Sequence, residues 1–221
     1  MNKESPRQPI VILISGRGSN MRVLIEHSRA AGAAYTVACV FSDQAGAAGL
    51  GIARDFGIPT QVLPPGQSAT RAAYDDGLAA AIGDCSPSLI VLAGFMRILS
   101  ARFVTNFAGK ILNIHPSLLP KYPGLHTHRR VLEAHETQHG ATVHFVTEEL
   151  DGGPRVIQAR VDVAPGDDEA SLSRRVQAME HRIYPLAVDW FCGGRLRYID
   201  GQAWLDGRAL TEPVQFKGEP T

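Results

Sequence analysis

Three polar side chains placed next to apolar runs define the chemistry open to this chain. Asn113 and His115 stand two apart at the end of the apolar run 110–115. In a strand, residues two apart point to one face, so this pair would project together. An amide N–H donor and an imidazole suit the stabilisation of a developing oxyanion, and imidazole also transfers protons near neutral pH. The third is Asp151, in the acidic, glycine-rich stretch EELDGGP. A carboxylate beside His115 would favour the imidazolium and could orient a water for proton transfer. The same spacings have plainer readings: a hydrogen-bonded core histidine with a turn-forming asparagine, and an Asp-Gly-Gly β-turn.

A second device is the loop Ser15-Gly16-Arg17-Gly18-Ser19-Asn20 between an apolar run and a helical pattern. Free backbone N–H groups and the helix dipole there favour an anion, and Ser19 or Asn20 could cap the helix or bond a ligand. The alternative is a tight turn with a capping residue. No Lys follows the last glycine as a Walker loop requires, and the dinucleotide pattern G-x-G-x-x-G fails beyond Gly18. A phosphate monoester is therefore the expected ligand. The segment Gly94-Phe95-Met96-Arg97-Ile98-Leu99 could line a slot for a flat heteroaromatic ring, or serve only helix packing. Six histidines lie between His115 and His144 inclusive, but their spacing matches no helix-borne metal motif and no cysteine completes a shell, so no metal is expected. His135, His139 and His144 are assigned to surfaces or packing.

The elements that must position these groups alternate. Strand-like runs at 10–15, 35–41, 60–63, 88–93 and 110–115 are separated by helical patterns at 19–30, 46–56, 70–82 and 100–107. Prolines and a glycine between 116 and 124 delay the next helix to about His126. Runs at 141–147 and 155–163, separated by EELDGGP, read as neighbouring, antiparallel strands. A long helix follows from Asp167 or Asp168 to Phe191, with Leu172, Val176, Met179 and Ile183 as its apolar stripe and Pro185 as a point of kinking or breaking. Residues 195–204 suggest a small hairpin. The expected fold is α/β: a Rossmann-like three-layer sandwich with a mostly parallel central sheet and a C-terminal antiparallel part. It forms a single domain over 1–221, with a polar extension at 1–9 and a loose tail at 211–221. Ligands in such a fold bind beyond the strand C-termini, here after Ser15, Ala93, His115 and Thr147.

Composition narrows the partners. The 221 residues are 44% apolar, enough for one substantial core. Lys plus Arg and Asp plus Glu number 22 each, so no global basic field exists for a nucleic acid. Cys39, Cys85 and Cys192 are scattered and odd in number, which fits a reducing cytosol better than a disulfide framework. The polar start MNKESPRQP lacks the apolar stretch of a signal peptide or membrane span, so a cytoplasmic location is expected.

Taken in order, ISGRGSN, LAGFMRILS, LNIHPSLLPKYPGLHTHR, VHFVTEELDGGP and QAMEHRIYP closely resemble the folate-dependent phosphoribosylglycinamide formyltransferases of purine synthesis, over nearly the whole chain. The resemblance implies a formyltransferase fold and direct formyl transfer from 10-formyltetrahydrofolate to the glycinamide amine, through a tetrahedral intermediate without a covalent enzyme adduct or a metal. It implies Asn113, His115 and Asp151 as the catalytic trio, Gly18, Ser19 and Asn20 on the substrate phosphate, and Glu180 at the ribose or amine region. It places Arg71, Met96, Arg97, Ile98 and Leu99, with Thr147, Glu148, Glu149, Leu150 and Asp151, around the folate. The cysteines match no catalytic position. Partners would be small molecules, with no nucleic acid or membrane, in a monomer or weak homodimer. The departures are the extension 1–9, Arg17 at a tolerant position and the sequence after Leu210. Related enzymes acting on methionyl-tRNA carry an added C-terminal nucleic-acid domain, and formyltetrahydrofolate hydrolases a preceding regulatory one; neither is expected here.

Overall fold

Strand β1 (Gln8–Ile14) needs cover on both sides, because Ile10, Ile12 and Ile14 enter one apolar core while Val11 and Leu13 enter another. The computed structural model, which describes residues 6–218, supplies that cover. The chain continues as α1 (Ser19–Ser28), β2 (Tyr35–Ser42), α2 (Ala48–Asp55), β3 (Thr60–Val62), a 3-10 turn (Pro65–Gln67), α3 (Arg71–Asp84), β4 (Leu89–Leu92), α4 (Ala101–Asn106) and β5 (Ile111–His115). Then follow α5 (Thr127–Glu133), β6 (Gln138–Phe145), β7 (Arg155–Asp162), α6 (Glu169–Cys192), β8 (Leu196–Ile199), β9 (Gln202–Leu205), β10 (Arg208–Ala209) and β11 (Val214–Gln215).

Eight strands form one sheet in the order β11-β7-β6-β5-β4-β1-β2-β3, and β8 to β10 form a small antiparallel sheet. Strands β1 to β5 run parallel, whereas β6 is antiparallel to both β5 and β7. Helices α1, α2 and α6 bury Met21, Leu24, Leu50, Leu172, Val176 and Ile183 against one face. Helices α3 and α4 bury Tyr74, Leu78, Ile82 and Phe103 against the other, completing the three layers. None of the described helices is long and apolar enough to cross a membrane.

The chain builds outward from β1 to β3, then returns to β4 on the other side of β1. Connections after β1 and β4 therefore leave in opposite directions and open a crevice between the strand ends. The two loops are tied at its floor, where Ser15 N–H donates to the Gly94 carbonyl at 3.0 Å and Met96 N–H to Ser15 Oγ at 2.8 Å.

Helix α6 opens on a capping box between Asp168 and Ser171. It runs unbroken through Pro185, contrary to the break that the proline alone suggests. A proline removes one main-chain donor, and burial of Tyr184, Ala187 and Val188 holds the turns around it. The C-terminal segment is also more ordered than expected. Val214–Gln215 pairs in parallel with β7, and Phe216 N–H donates to the Gln158 carbonyl at 2.8 Å. An unpaired strand edge offers ladder groups that a short polar segment can fill, a gain with no hydrophobic periodicity to announce it. The polar N-terminal extension is shorter than 1–9, because β1 begins at Gln8; residues 1–5 and 219–221 lie outside the described residues.

The Tyr184 hydroxyl reaches the carbonyls of Leu92 and Leu112 at 2.9 and 3.0 Å, pinning α6 to β4 and β5 just below the crevice. Tyr184→Phe is expected to lower stability by about 1–2 kcal/mol in urea unfolding; an unchanged midpoint would show that this contact is not holding the layers together.

Candidate active site

The loop after β1 turns at Gly18, whose φ of +74° suits glycine. A Cβ there would also lie 2.8 Å from the Cα of Gly49, so the turn packs backbone to backbone on α2. The α1 helix starts at Ser19 and directs its N-terminus into a cavity of 300 Å³ lined by Gly16, Gly18, Ser19, Asn20, Gln177 and Glu180, among others. Gln177 Nε2 donates to Ser19 Oγ at 3.0 Å, and Asn20 Nδ2 donates to Glu180 Oε2 at 2.8 Å. Burial pushes the Glu180 carboxyl up to about 7, against the opposing effect of the Asn20 donor.

A second cavity of 460 Å³ opens beyond β4 and β5. Met96, Arg97, Ile98 and Leu99 form one wall, and Thr147, Glu148, Glu149, Leu150 and Asp151 another. The mouth exposes Met96, Ile98, Leu125 and Leu150, an apolar rim suited to a flat ring. The two cavities share Gly94, Met96, Ile114, Pro116 and His128, so they form one cleft with unlike ends.

Asn113 and His115 enter the larger cavity from β5, on the face opposite Leu112 and Ile114, which belong to the α6-side core. The His115 Nε2–H donates to the Tyr122 carbonyl at 2.9 Å. Its Nδ1 lies 3.4 Å from Asp151 Oδ2, with both side chains under one tenth exposed. The same Asp151 oxygen accepts the Gly124 N–H at 2.8 Å. When the ring carries its second proton, Nδ1 and the carboxylate form a buried ion pair. Asp151 is aimed by its own turn: it has φ +53°, and a Cβ on Gly153, two residues on, would lie 1.9 Å from the Phe145 carbonyl. Only glycine lets the turn lie so close to β6.

The structure brings together all the expected residues except Arg71. That side chain is exposed and hydrogen-bonds the Ile98 carbonyl from outside the cavity lining, so it braces a wall and does not form it. Arg97 stacks 4.5 Å over the Tyr74 ring. Residue reading missed Gln177 and His144. Gln177 precedes Glu180 by one helical turn on α6, so helix spacing could have found it. His144, assigned to surface or packing, is buried, and its Nε2 lies 3.2 Å from Asn113 Nδ2. His139 is buried against His128, 3.0 Å between ring nitrogens, and burial pushes it down to about 4. Among the described residues no three His, Cys, Asp or Glu side chains are grouped to hold a metal ion.

A cavity facing a helix N-terminus and an apolar-rimmed cavity, joined beside an amide, an imidazole and a carboxylate, make a cleft suited to a group-transfer protein on a Rossmann-like sheet. The chain belongs to the formyl transferase family, whose model matches residues 8–188. It is 53% identical to the phosphoribosylglycinamide formyltransferase of Escherichia coli (strain K12), across 91% of this chain and 95% of that one. Identity to the Haemophilus influenzae protein of the same name is 45%, over the same shares. Among solved structures, the phosphoribosylglycinamide formyltransferase of Coxiella burnetii superposes with a TM-score of 0.92 at 45% identity, covering 96% of this chain and all of that one. The glycinamide ribonucleotide transformylase 1 of Symbiobacterium toebii gives 0.87 at 41%, covering 90% and 94%.

Glu180 has a measurable signature. Its folded-state pKa lies above the ordinary 4.5, so its contribution to stability is complete below that pH and is lost as pH rises through about 7. The unliganded protein should therefore lose melting temperature between about pH 5 and 8 relative to Glu180→Gln. Parallel slopes for the two proteins in buffered thermal melts would exclude a buried, titrating Glu180.

Proposed function

We propose that this chain transfers the formyl group of 10-formyltetrahydrofolate to the amine of 5'-phosphoribosylglycinamide, giving formylglycinamide ribonucleotide and tetrahydrofolate. One observation carries the reading. The cleft has a helix N-terminus at one end and an apolar slot at the other, and Asn113, His115 and Asp151 converge beside the junction. The names of the relatives, at up to 53% identity over nearly their full length, support the same activity.

In this reading the substrate phosphate lies on the backbone N–H groups of Gly18, Ser19 and Asn20. Ser19 accepts from Gln177, which leaves its hydroxyl hydrogen for a phosphate oxygen. Glu180, held by Asn20, faces the ribose or amine region. The folate ring enters between Met96, Arg97, Ile98 and Leu99 and the wall from Thr147 to Asp151, with Arg71 holding the Ile98 carbonyl.

The neutral amine attacks the formyl carbon and its oxygen gathers negative charge. Asn113 N–H and protonated His115 stabilise that oxygen, in a site where burial strengthens each interaction. Asp151 keeps the imidazolium in place and orients a water that carries the proton from the amine to the departing folate nitrogen. No covalent bond to the protein and no metal is needed. Hydrolysis of the formyl donor, the alternative on this fold, has no use for the cavity at the glycine loop. The chain acts as one domain over 1–221, a cytoplasmic monomer or weak homodimer without nucleic-acid or membrane partners.

The test is formyl transfer measured in parallel on glycinamide ribonucleotide, methionyl-tRNA and water. Turnover is expected with the first alone, and Asn113→Ala should lower it on the order of a hundredfold or more. Turnover of the variant within about twofold of the parent would remove the oxyanion role from Asn113.

A further inference from the structure

We infer that His144 is a positioning residue for this reaction: through one hydrogen bond it holds the Asn113 amide with its N–H end, not its carbonyl, where the oxyanion forms. The inference rests on the formyl-transfer reading above and extends it to a side chain that need not touch either substrate.

Register sets up the contact. Strands β5 and β6 are antiparallel and Asn113 lies directly opposite His144, so the two side chains share a face. The orientation follows from a chain of donors and acceptors. His144 Nδ1 lies 2.9 Å from the Phe145 carbonyl, which can only accept, so Nδ1 carries a hydrogen. A neutral ring then has a bare lone pair on Nε2, and the Asn113 atom 3.2 Å away must be a donor. That atom is the amide nitrogen. Turned over, the amide would set its oxygen against this lone pair, an acceptor facing an acceptor in a buried place. The amide nitrogen has a second N–H, and Asn113 lines the cavity. Its orientation therefore decides whether the developing oxyanion meets a donor or a repelling oxygen.

The competing arrangement is a charged His144 paired with Asp151, whose Oδ1 lies 3.7 Å from Nε2. Two observations favour the neutral ring. His144 is 1% exposed, and burial pushes it down to about 4 despite the carboxylate, with His115 adding to the lowering. The amide contact, at 3.2 Å, is also the shorter of the two.

Steady-state kinetics of His144→Phe and His144→Gln, each in the parent and in Asn113→Ala, test this. Phe keeps ring bulk without an acceptor, whereas Gln offers a carbonyl oxygen to the same amide. His144→Phe should lower kcat by about tenfold or more, with KM for both substrates within about twofold, and His144→Gln should recover most of the loss. In Asn113→Ala, His144→Phe should cost less than about a further twofold, because the group it positions is gone. Losses that multiply in the double variant, or a kcat of His144→Phe equal to the parent's, would overturn the inference. NMR of the parent protein labelled with nitrogen-15 histidine gives an answer even if His144→Phe fails to fold. The expected spectrum has hydrogen on Nδ1 and none on Nε2 of His144, and a protonated Nε2 overturns the inference. A parent enzyme without turnover of glycinamide ribonucleotide would instead count against the proposed function, and the NMR result would still decide the tautomer.

Discussion

The carboxylate of Asp151 is the group on which the rest of the site depends. One of its oxygens faces His115 Nδ1 at 3.4 Å and accepts the Gly124 N–H at 2.8 Å. It thereby joins the turn after β6, the end of β5 and the proline-punctuated loop between β5 and α5. The other side of the ring closes the circuit, since His115 Nε2 donates to the Tyr122 carbonyl of that same loop at 2.9 Å. A buried charge held this way is stabilising only while all its partners remain, because a lone buried carboxylate or imidazolium carries a large desolvation cost. The three segments are therefore interdependent.

The buried polar residues in and beside the cleft divide by how burial acts on them. Burial drives His139 and His144 toward the neutral form, at about 4, and raises Glu180 to about 7. Neutral imidazoles make directional contacts with one donor and one acceptor, which suits them to fixing the orientation of other groups. His115 differs in geometry, having a carboxylate at one nitrogen and a carbonyl at the other. The same residue type thus meets different partners, and the local surroundings decide what each ring can hold.

The cleft is held open by rigid elements. Helix α6 contributes Gln177 and Glu180 at the glycine-loop end, and its Tyr184 hydroxyl contacts carbonyls of β4 and β5. The His27–Asp189 pair, with the Ala34 N–H donating to Asp189 at 2.9 Å, locks α6 to α1 and the start of β2. The glycine loop, the strand ends and α6 consequently share one frame, as a reaction between two bound molecules requires.

Much of this was legible from residue order. Alternating apolar runs and helical stripes identified the parallel sheet and its helices, and the two-residue spacing placed Asn113 and His115 on one face, because these signals are local and repeat with the period of the backbone. The glycine loop and the Asp-Gly-Gly turn were legible as candidates, because glycine marks close approach before its neighbour is known. Only the tertiary structure decided that Asp151 reaches His115, that Arg71 stays outside the cavity lining, that Val214–Gln215 completes a sheet edge and that His144 faces Asn113. Each of these depends on strand register or on the meeting of segments far apart in the chain. A one-residue slip between β5 and β6 would leave the sequence pattern unchanged and turn His144 to the opposite face.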